Sequence, residues 1–300
     1  MHAKLKPVLL SIEPVVPVRP RWLRAPAPAG QNYRELKELI SDLKLHTVCE
    51  SAACPNVGEC WNRRTATFMI LGNVCTRRCG FCAVQKGGPL PVDYDEPRRV
   101  AEAVAIMGLK YAVVTSVNRD DRKDGGAELF KMTIEAIRER VPGCKVEVLV
   151  PDFQGSHDAM KIVMDSKPDV LNHNTETVPR LYRQVRLGAR YERSLEMLRY
   201  AKELSPATPV KSGLMLGLGE LIEEVLGLLE QAGLPTSLRA FPELAQRYDT
   251  DAIWNTMQSD KKKKDGKIRF VLIRTPGDCL VSNDVDETLA KRSLKSLEGS

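Results

Sequence analysis

Between residues 67 and 216, short continuous apolar runs alternate with segments whose apolar positions recur every three to four residues. The runs Thr67–Leu71, Tyr111–Ser116 and Val146–Val150, one opening at Val170-Leu171, and Val210–Leu216 predict strands. Glu96–Met107, Ala127–Arg140, His157–Asp165, Pro179–Arg186 and Ser194–Leu204 predict helices. Upstream, Leu36, Leu39, Ile40 and Leu43 share one face of a helix over Tyr33–Leu45. Continuous apolar strands alternating with helices predict a parallel α/β sheet. Five strands over this length predict a partial barrel or an open sheet, not a full eight-fold barrel. Either places its chemistry at the carboxyl ends of the strands.

The flanks read differently. Residues 1–30 are Pro-rich and aperiodic and predict an extended arm. Residues 46–66 hold three cysteines with Pro55 and Gly58 and predict a loop. Beyond Glu220 the pattern predicts helices over Leu221–Ala232, Asp251–Gln258 and Glu287–Leu297. It also predicts a polar turn at Lys261–Gly266 and a strand over Ile268–Ile273.

Composition narrows the class. A chain of 300 residues buries about 75% of its unfolded surface, so it needs no disulfide or metal to stay folded. Apolar residues at 43% and charged residues at 28% exclude wholesale disorder and collagen. No stretch approaches a membrane-spanning run, and no membrane partner is expected. A net charge of +6 is too small to argue for nucleic acid. The tetralysine Lys261–Lys264 reads as a solvated turn, with contact to an acidic carrier as the sharper alternative.

Six of the eight cysteines fall between Cys49 and Cys82. The amino terminus has no uninterrupted apolar core or small-residue cleavage site, so no secretory signal is expected. Residues 1–30 carry five Lys/Arg against Glu13 alone, but six prolines and little Ser argue against a mitochondrial presequence. The expected location is the cytoplasm, with the mitochondrial matrix as the alternative. There, clustered cysteines read as metal or redox ligands.

Cys75-x3-Cys79-x2-Cys82 places three thiolates in one short loop directly after the first strand. Such a loop can wrap one face of a metal centre. Zinc needs a fourth ligand, for which His46 and His173 are candidates, although a histidine beside a strand end, as His173 is, is more often a satisfied one than a ligand. A [4Fe–4S] cube held by three cysteines keeps one iron free to bind a small molecule. Cys49-x4-Cys54-x5-Cys60 is a second trio, also one ligand short, which argues against two ordinary zinc fingers. Unrelated buried cysteines remain the bland alternative.

With Phe81 before its last cysteine, the loop resembles that of the radical S-adenosylmethionine superfamily. Arg21-Trp22-Leu23-Arg24, Cys54-Pro55-Asn56, Glu59-Cys60-Trp61, Cys79-Gly80-Phe81-Cys82, Ser116-Val117-Asn118-Arg119-Asp120-Asp121, Glu147-Val148-Leu149-Val150-Pro151-Asp152 and Asn172-His173-Asn174 narrow the resemblance to the lipoyl synthase family. It spans about 21–220. It implies one [4Fe–4S] cluster on Cys75, Cys79 and Cys82, which binds S-adenosylmethionine and yields a 5′-deoxyadenosyl radical. It implies a second, sacrificed cluster on Cys49, Cys54 and Cys60. The implied activity is a sulfurtransferase reaction on a protein-bound octanoyl chain, giving a lipoyl group.

The implied partners are an octanoylated lipoyl carrier domain or a glycine cleavage H-type protein, and an electron donor such as ferredoxin or flavodoxin. Phe81, Ser116, Glu147 and Asn172 are the candidate contacts to S-adenosylmethionine, each equally an ordinary packing or strand-end residue. Gly125-Gly126 permits close approach of a ligand, or simply makes a turn. Arg21 and Arg24 can reach a cluster or a carrier acid, or form a solvated arm.

The family pattern stops near residue 220. Lipoyl synthases continue to a further strand and a carboxy-terminal Arg-Ser-Ser-Tyr motif, one serine of which ligates the auxiliary cluster. Here Arg292-Ser293 is followed by Leu294, and the role is not carried over. Residues about 222–290 instead resemble the carboxy-terminal end of 3-dehydroquinate synthase, through Leu228–Pro235, Gly266–Leu272 and Val285-Asp286.

The expected organisation is an arm (1–30), an auxiliary cluster segment (31–66), a partial radical barrel lacking its last strand (67–220) and a foreign mixed α/β tail (221–300). Impaired sulfur insertion follows as an expectation. The competing readings are a degenerate radical protein that cleaves S-adenosylmethionine without product, and a non-catalytic metal scaffold.

Overall fold

The computed structural model describes residues 28–236, 241, 243, 248–258, 268, 270–275, 278–282 and 284–296. Most of the expected arm, with Arg21 and Arg24, and the tetralysine turn lie outside the described residues.

The elements follow in chain order. Helices α1 (Gln31–Asp42), α2 (Val48–Ser51) and α3 (Val57–Asn62) precede strand β1 (Thr67–Ile70). A two-strand ribbon, β2 (Val74–Cys75) and β3 (Gln85–Lys86), holds the thiolate loop between its strands. Then come α4 (Glu96–Met107), β4 (Tyr111–Ser116), α5 (Ala127–Arg140), β5 (Lys145–Leu149), α6 (His157–Asp165), β6 (Val170–Asn172), α7 (Tyr182–Val185), α8 (Tyr191–Leu204) and β7 (Val210–Lys211). The tail contributes α9 (Ile222–Gln231), α10 (Thr250–Gln258), the hairpin β8 (Phe270–Thr275) and β9 (Asp278–Ser282), and α11 (Glu287–Ser296).

The main sheet is parallel, in the order β1-β4-β5-β6-β7. Helices α4, α5, α6 and α8 pack one against the next in series. The sheet's two faces differ in chemistry. Phe68, Ile70, Ala112, Val114, Val146, Val148 and Leu171 alternate onto one face and are fully buried with the helices. The other face carries Met69, Thr115, Glu147, Asn172 and Lys211, aligned across the strands.

Local signals explain the boundaries. Asp95 and Pro97 open α4, and Gly108, left-handed at φ 64°, ends it. Ser156 caps α6 by accepting from the Ala159 N–H at 3.2 Å.

Two expectations need correction. Residues 46–66 are not a loop but contain α2 and α3. Thr47 accepts from the Glu50 N–H to start α2, and fully buried Trp61 anchors α3 in the core beside Leu36 and Phe68. Short helices gain most of their stability from such packing, which periodicity does not report. The strand expected over Val210–Leu216 ends at Lys211, and only a bridge from Glu176 to Leu214 continues it.

The auxiliary segment shares the main core. Thr47 bridges Phe68, and the Met69 N–H donates to His46 O at 2.9 Å, so residues 46–47 cover the outer edge of β1. The tail has a small core of its own, Trp254, Ile268 and Ala290 with Met257, Phe270 and Val285.

Ile134 on α5 is fully buried, whereas Ile106 on α4 is 53% exposed. Ile134→Ala is expected to cost about 2–5 kcal/mol in urea denaturation, and Ile106→Ala within about 0.5 kcal/mol.

Candidate functional site

The thiolate loop lies at the carboxyl end of β1. A buried carboxylate sets its entry: Glu96 on α4 accepts from the Leu71 N–H at 2.7 Å. Leu71 turns through a positive φ of 68°, where a side chain is strained. Its Cδ1 lies 2.2 Å from where a Cβ on Gly126 would stand, so only glycine fits there. A Cβ on Gly125 would meet Phe153 Cδ1 at 2.9 Å. Of the two readings of Gly125-Gly126, the close approach seen is to protein side chains, Phe153 and Leu71.

Inside the loop, Arg77 is almost wholly buried. Its Nε and Nη2 donate to the two oxygens of Asp120 at 2.7 and 2.9 Å, and Nη2 also donates to Asp152 Oδ1 at 2.5 Å. Asp152, fully buried, takes Arg193 Nε on its other oxygen at 2.9 Å. Burial pushes the Asp152 carboxyl up, but Arg77 and Arg193 outweigh it and hold it at about 2. Gly80 N–H donates to Val185 O at 2.8 Å, so the loop is fastened to the segment before α8 as well.

The six expected thiols gather as two trios. All six are free and half-buried. Burial pushes the Cys79 thiol up, and the nearness of Cys75 and Cys82 adds to this against Arg186. Cys60 is likewise pushed up by burial and then by Cys49 and Cys54. Cys75 Sγ receives the N–H groups of Arg77 at 3.5 Å and Asn118 at 3.4 Å, and Asn118 Nδ2 at 3.8 Å. Among the described residues, no three His, Cys, Asp or Glu side chains close around a single ion. A cube that binds each thiolate at a different iron does not require them to.

His173 is no ligand. It is fully buried, and its Nδ1–H donates to Val150 O at 2.8 Å while Nε2 accepts from Ser194 Oγ at 3.0 Å. Burial, aided by Arg186, lowers its pKa to about 4.

The polar face of the sheet brings Glu147 and Asn172 together. Glu147 accepts from Tyr111 OH at 2.5 Å, Lys211 Nζ at 2.9 Å and Asn172 Nδ2 at 3.3 Å. Burial pushes its carboxyl up, but these donors bring it below the usual range. Asn172 Oδ1, Ser116 Oγ and Asn118 Oδ1 are buried with no partner. By register Ser116 takes the side of Ile70, apart from Glu147 and Asn172. Phe81 is half-buried beside Cys82. Buried orphan acceptors near a thiolate loop suit a donor-rich ligand.

Residues 69–232 match the Radical SAM superfamily. Residues 16–54 match the N-terminal domain of lipoyl synthase of that family. The lipoyl synthase of Koribacter versatilis is 64% identical over 220 residues, covering 73% of this chain and 72% of that protein. The chain belongs to the lipoyl synthase family of the radical SAM superfamily. The lipoyl synthase of Rubrobacter xylanophilus is also 64% identical, over 69% of this chain and 65% of that protein. That of Bacillus velezensis is 50% identical over 81% of this chain and 78% of its own length. No helix among the described residues is long and apolar enough to cross a membrane.

Arg77, Asn118, Asp120 and Asp152 carry no expectation of their own from the sequence. No local signal marks them, because their partners lie 43 or 75 positions away.

An unfolded His173 takes a proton near pH 6.5, and the folded one resists until about 4. The unfolded chain then binds more protons, so stability falls as pH drops through this window. Asp152, held at about 2 against 3.8 unfolded, extends the loss below it. Glu96, whose buried carboxyl is pushed up, pulls the other way in every variant. The gap in denaturation midpoint between the unsubstituted chain and His173→Gln is expected to shrink from pH 7 to pH 5.

Proposed function

We propose that the chain inserts two sulfur atoms into the octanoyl chain of a lipoyl carrier domain, as its family membership indicates. The observation that carries the reading is the pair of three-thiol groups, each half-buried and unbridged, with Cys60 placed to feel Cys49 and Cys54, and Cys79 to feel Cys75 and Cys82. Cys75, Cys79 and Cys82 would hold the cluster that binds S-adenosylmethionine, and Cys49, Cys54 and Cys60 the auxiliary cluster. When bound, the clusters and S-adenosylmethionine supply the one-electron chemistry and the sulfur that no side chain here can supply.

The chain's own residues bind and orient. Arg77, Asp120, Asp152 and Arg193 fix the loop that presents the open iron position. Asn172 and Glu147 on the polar face, Ser116 at the end of β4 and Phe81 beside Cys82 are the proposed contacts to S-adenosylmethionine. The orphaned Asn172 Oδ1 supports the contact on the polar face. The buried helix-facing side of the sheet excludes water behind the site. An H-type or lipoyl-domain carrier and a ferredoxin- or flavodoxin-class electron donor are the proposed partners, and the cytoplasm the proposed location.

The proposed organisation keeps 31–66 as the auxiliary cluster segment, 67–220 as the partial barrel and 221–300 as a tail of other origin. The separate core around Trp254 supports the last division. The likeness of 222–290 to the end of 3-dehydroquinate synthase belongs to this proposal, without that enzyme's activity. Ser293 is exposed on α11. With Leu294 after it, the auxiliary cluster lacks a serine ligand of its own, so sulfur insertion is slow.

Anaerobic reconstitution with iron and sulfide is expected to give roughly eight irons per chain. Cys79→Ala and Cys60→Ala should each retain about four and abolish lipoyl product, followed as the mass of an octanoylated carrier. A chain that stays colourless ends the proposal; full turnover removes only the claim of slow insertion.

A further inference from the structure

Arg77 and Arg78 are adjacent in the thiolate loop and face opposite ways. Arg77 turns inward to Asp120 and Asp152. Arg78 is exposed and pairs with no carboxylate among the described residues. Two further cations flank the same loop. Lys86 stands opposite Cys75 in the β2–β3 ribbon, and the Gly87 N–H beside it donates to Cys75 O at 3.0 Å. Arg183 lies on the one-turn helix α7, whose Val185 O receives the Gly80 N–H at 2.8 Å. Both side chains are exposed and pair with no carboxylate among the described residues. Several other exposed arginines do find acids: Arg98 with Asp95, Arg140 with Glu102 and Arg180 with Glu224. Between the three unpaired cations the wall of the loop is thin. Gly80 and Ala83, next to Cys79 and Cys82, are exposed, and a Cβ on Gly80 would meet nothing nearer than Val185 O at 3.7 Å. A partner can therefore lay its surface directly against the backbone that carries two of the thiols.

We propose that Arg78, Lys86 and Arg183 form a docking collar for an acidic protein that delivers one electron to the loop cluster. This rests on the function proposed above and gives its electron donor a surface. In the docked pair one electron leaves the donor's cofactor, which is oxidised by one unit, and enters the cluster, which is reduced by one. No bond in the chain forms or breaks. Unpaired cations of one sign set up a positive potential that steers an acidic surface to this side of the molecule. Electron-transfer encounters bury little area, under about 1,200 Å² in total, so steering charge matters more to them than an apolar anchor. Delivery of an acyl chain makes the opposite demand. It needs an apolar passage, whereas the collar offers cations around two small residues.

The test uses the full chain reconstituted with iron and sulfide, and an acidic flavodoxin as the probe. Its dissociation constant is measured by anaerobic titration at several salt concentrations. The rate at which flavodoxin hydroquinone, passing to semiquinone, reduces the cluster is followed by the loss of visible absorbance. Binding to the unsubstituted chain is expected to weaken about tenfold between about 0.05 and 0.5 M salt. Arg183→Glu and Lys86→Glu should each weaken it about five- to tenfold at low salt and flatten the salt dependence. Lys37→Glu makes the same charge change at an exposed position of α1, which packs on α3 and α4. It should leave binding within about twofold.

Photoreduced deazaflavin, a small neutral donor that needs no docking surface, should reduce the cluster equally fast in all four chains. If it slows in Arg183→Glu or Lys86→Glu as much as flavodoxin does, the residues act on the cluster and not on docking, and the inference falls. Variants that bind flavodoxin and take its electrons as the unsubstituted chain does overturn the inference alone. So does a loss of affinity for an octanoylated carrier domain with flavodoxin binding intact, which assigns the collar to the acyl carrier. An unsubstituted chain that takes up no iron overturns it together with the proposed function.

Discussion

The loop from Cys75 to Cys82 takes its shape from one side chain, the buried Arg77 guanidinium. It reaches Asp120 after β4 and Asp152 after β5, while Arg193 on α8 closes on the far oxygen of Asp152. Two separate crossovers thus converge on one side chain inside the loop, and α8 reaches it through Asp152. An ion network this buried adds little over well-packed apolar residues, yet losing one partner costs about 3–5 kcal/mol. Its consequence is geometric: the charges fix directions that apolar packing at the rim of a sheet leaves loose. The fully buried Asp152 can stay ionised because two guanidiniums face it.

The sheet supplies the platform. One face is closed by helices and wholly apolar, which sets the strands' positions through burial worth about 25 cal/mol per Å². The opposite face keeps Glu147, Lys211, Tyr111 and Asn172 in one hydrogen-bonded group. A parallel strand buried on both sides reads as a continuous apolar run, so the single Glu147 amid Val146 and Val148 marks the polar face of the sheet. Its carboxyl is satisfied by three donors, whereas Asn172 retains an open acceptor. The platform is satisfied where it must be rigid and unsatisfied where it can receive.

The two flanks differ in how they join this platform. The auxiliary segment is bonded to the edge of β1 and packs Trp61 into the same core as Phe68. Cys49 and Cys60 of this segment therefore pack against the same core as Cys75 and Cys82. The tail's apolar residues instead gather around Trp254. Helix α9 buries none of its residues fully, although Arg180 grips its Glu224 with two hydrogen bonds.

The sequence by itself determined the alternation of strands and helices, the parallel sheet and the six cysteines. Each of these is written locally, as an apolar run, a 3.6-residue period, or a residue type at a fixed spacing. Helices α4, α5 and α6 have the bounds their periodicity predicts, since capping residues and apolar stripes agree there. Tertiary structure alone decided the rest. It made helices of Val48–Ser51 and Val57–Asn62, cut β7 to two residues, and supplied Val150 O and Ser194 as the partners of His173. It also gave Arg77, Asn118 and Asp152 their roles. The reason is distance along the chain: these groups act through partners dozens of residues away, and only folding brings such groups within hydrogen-bond reach.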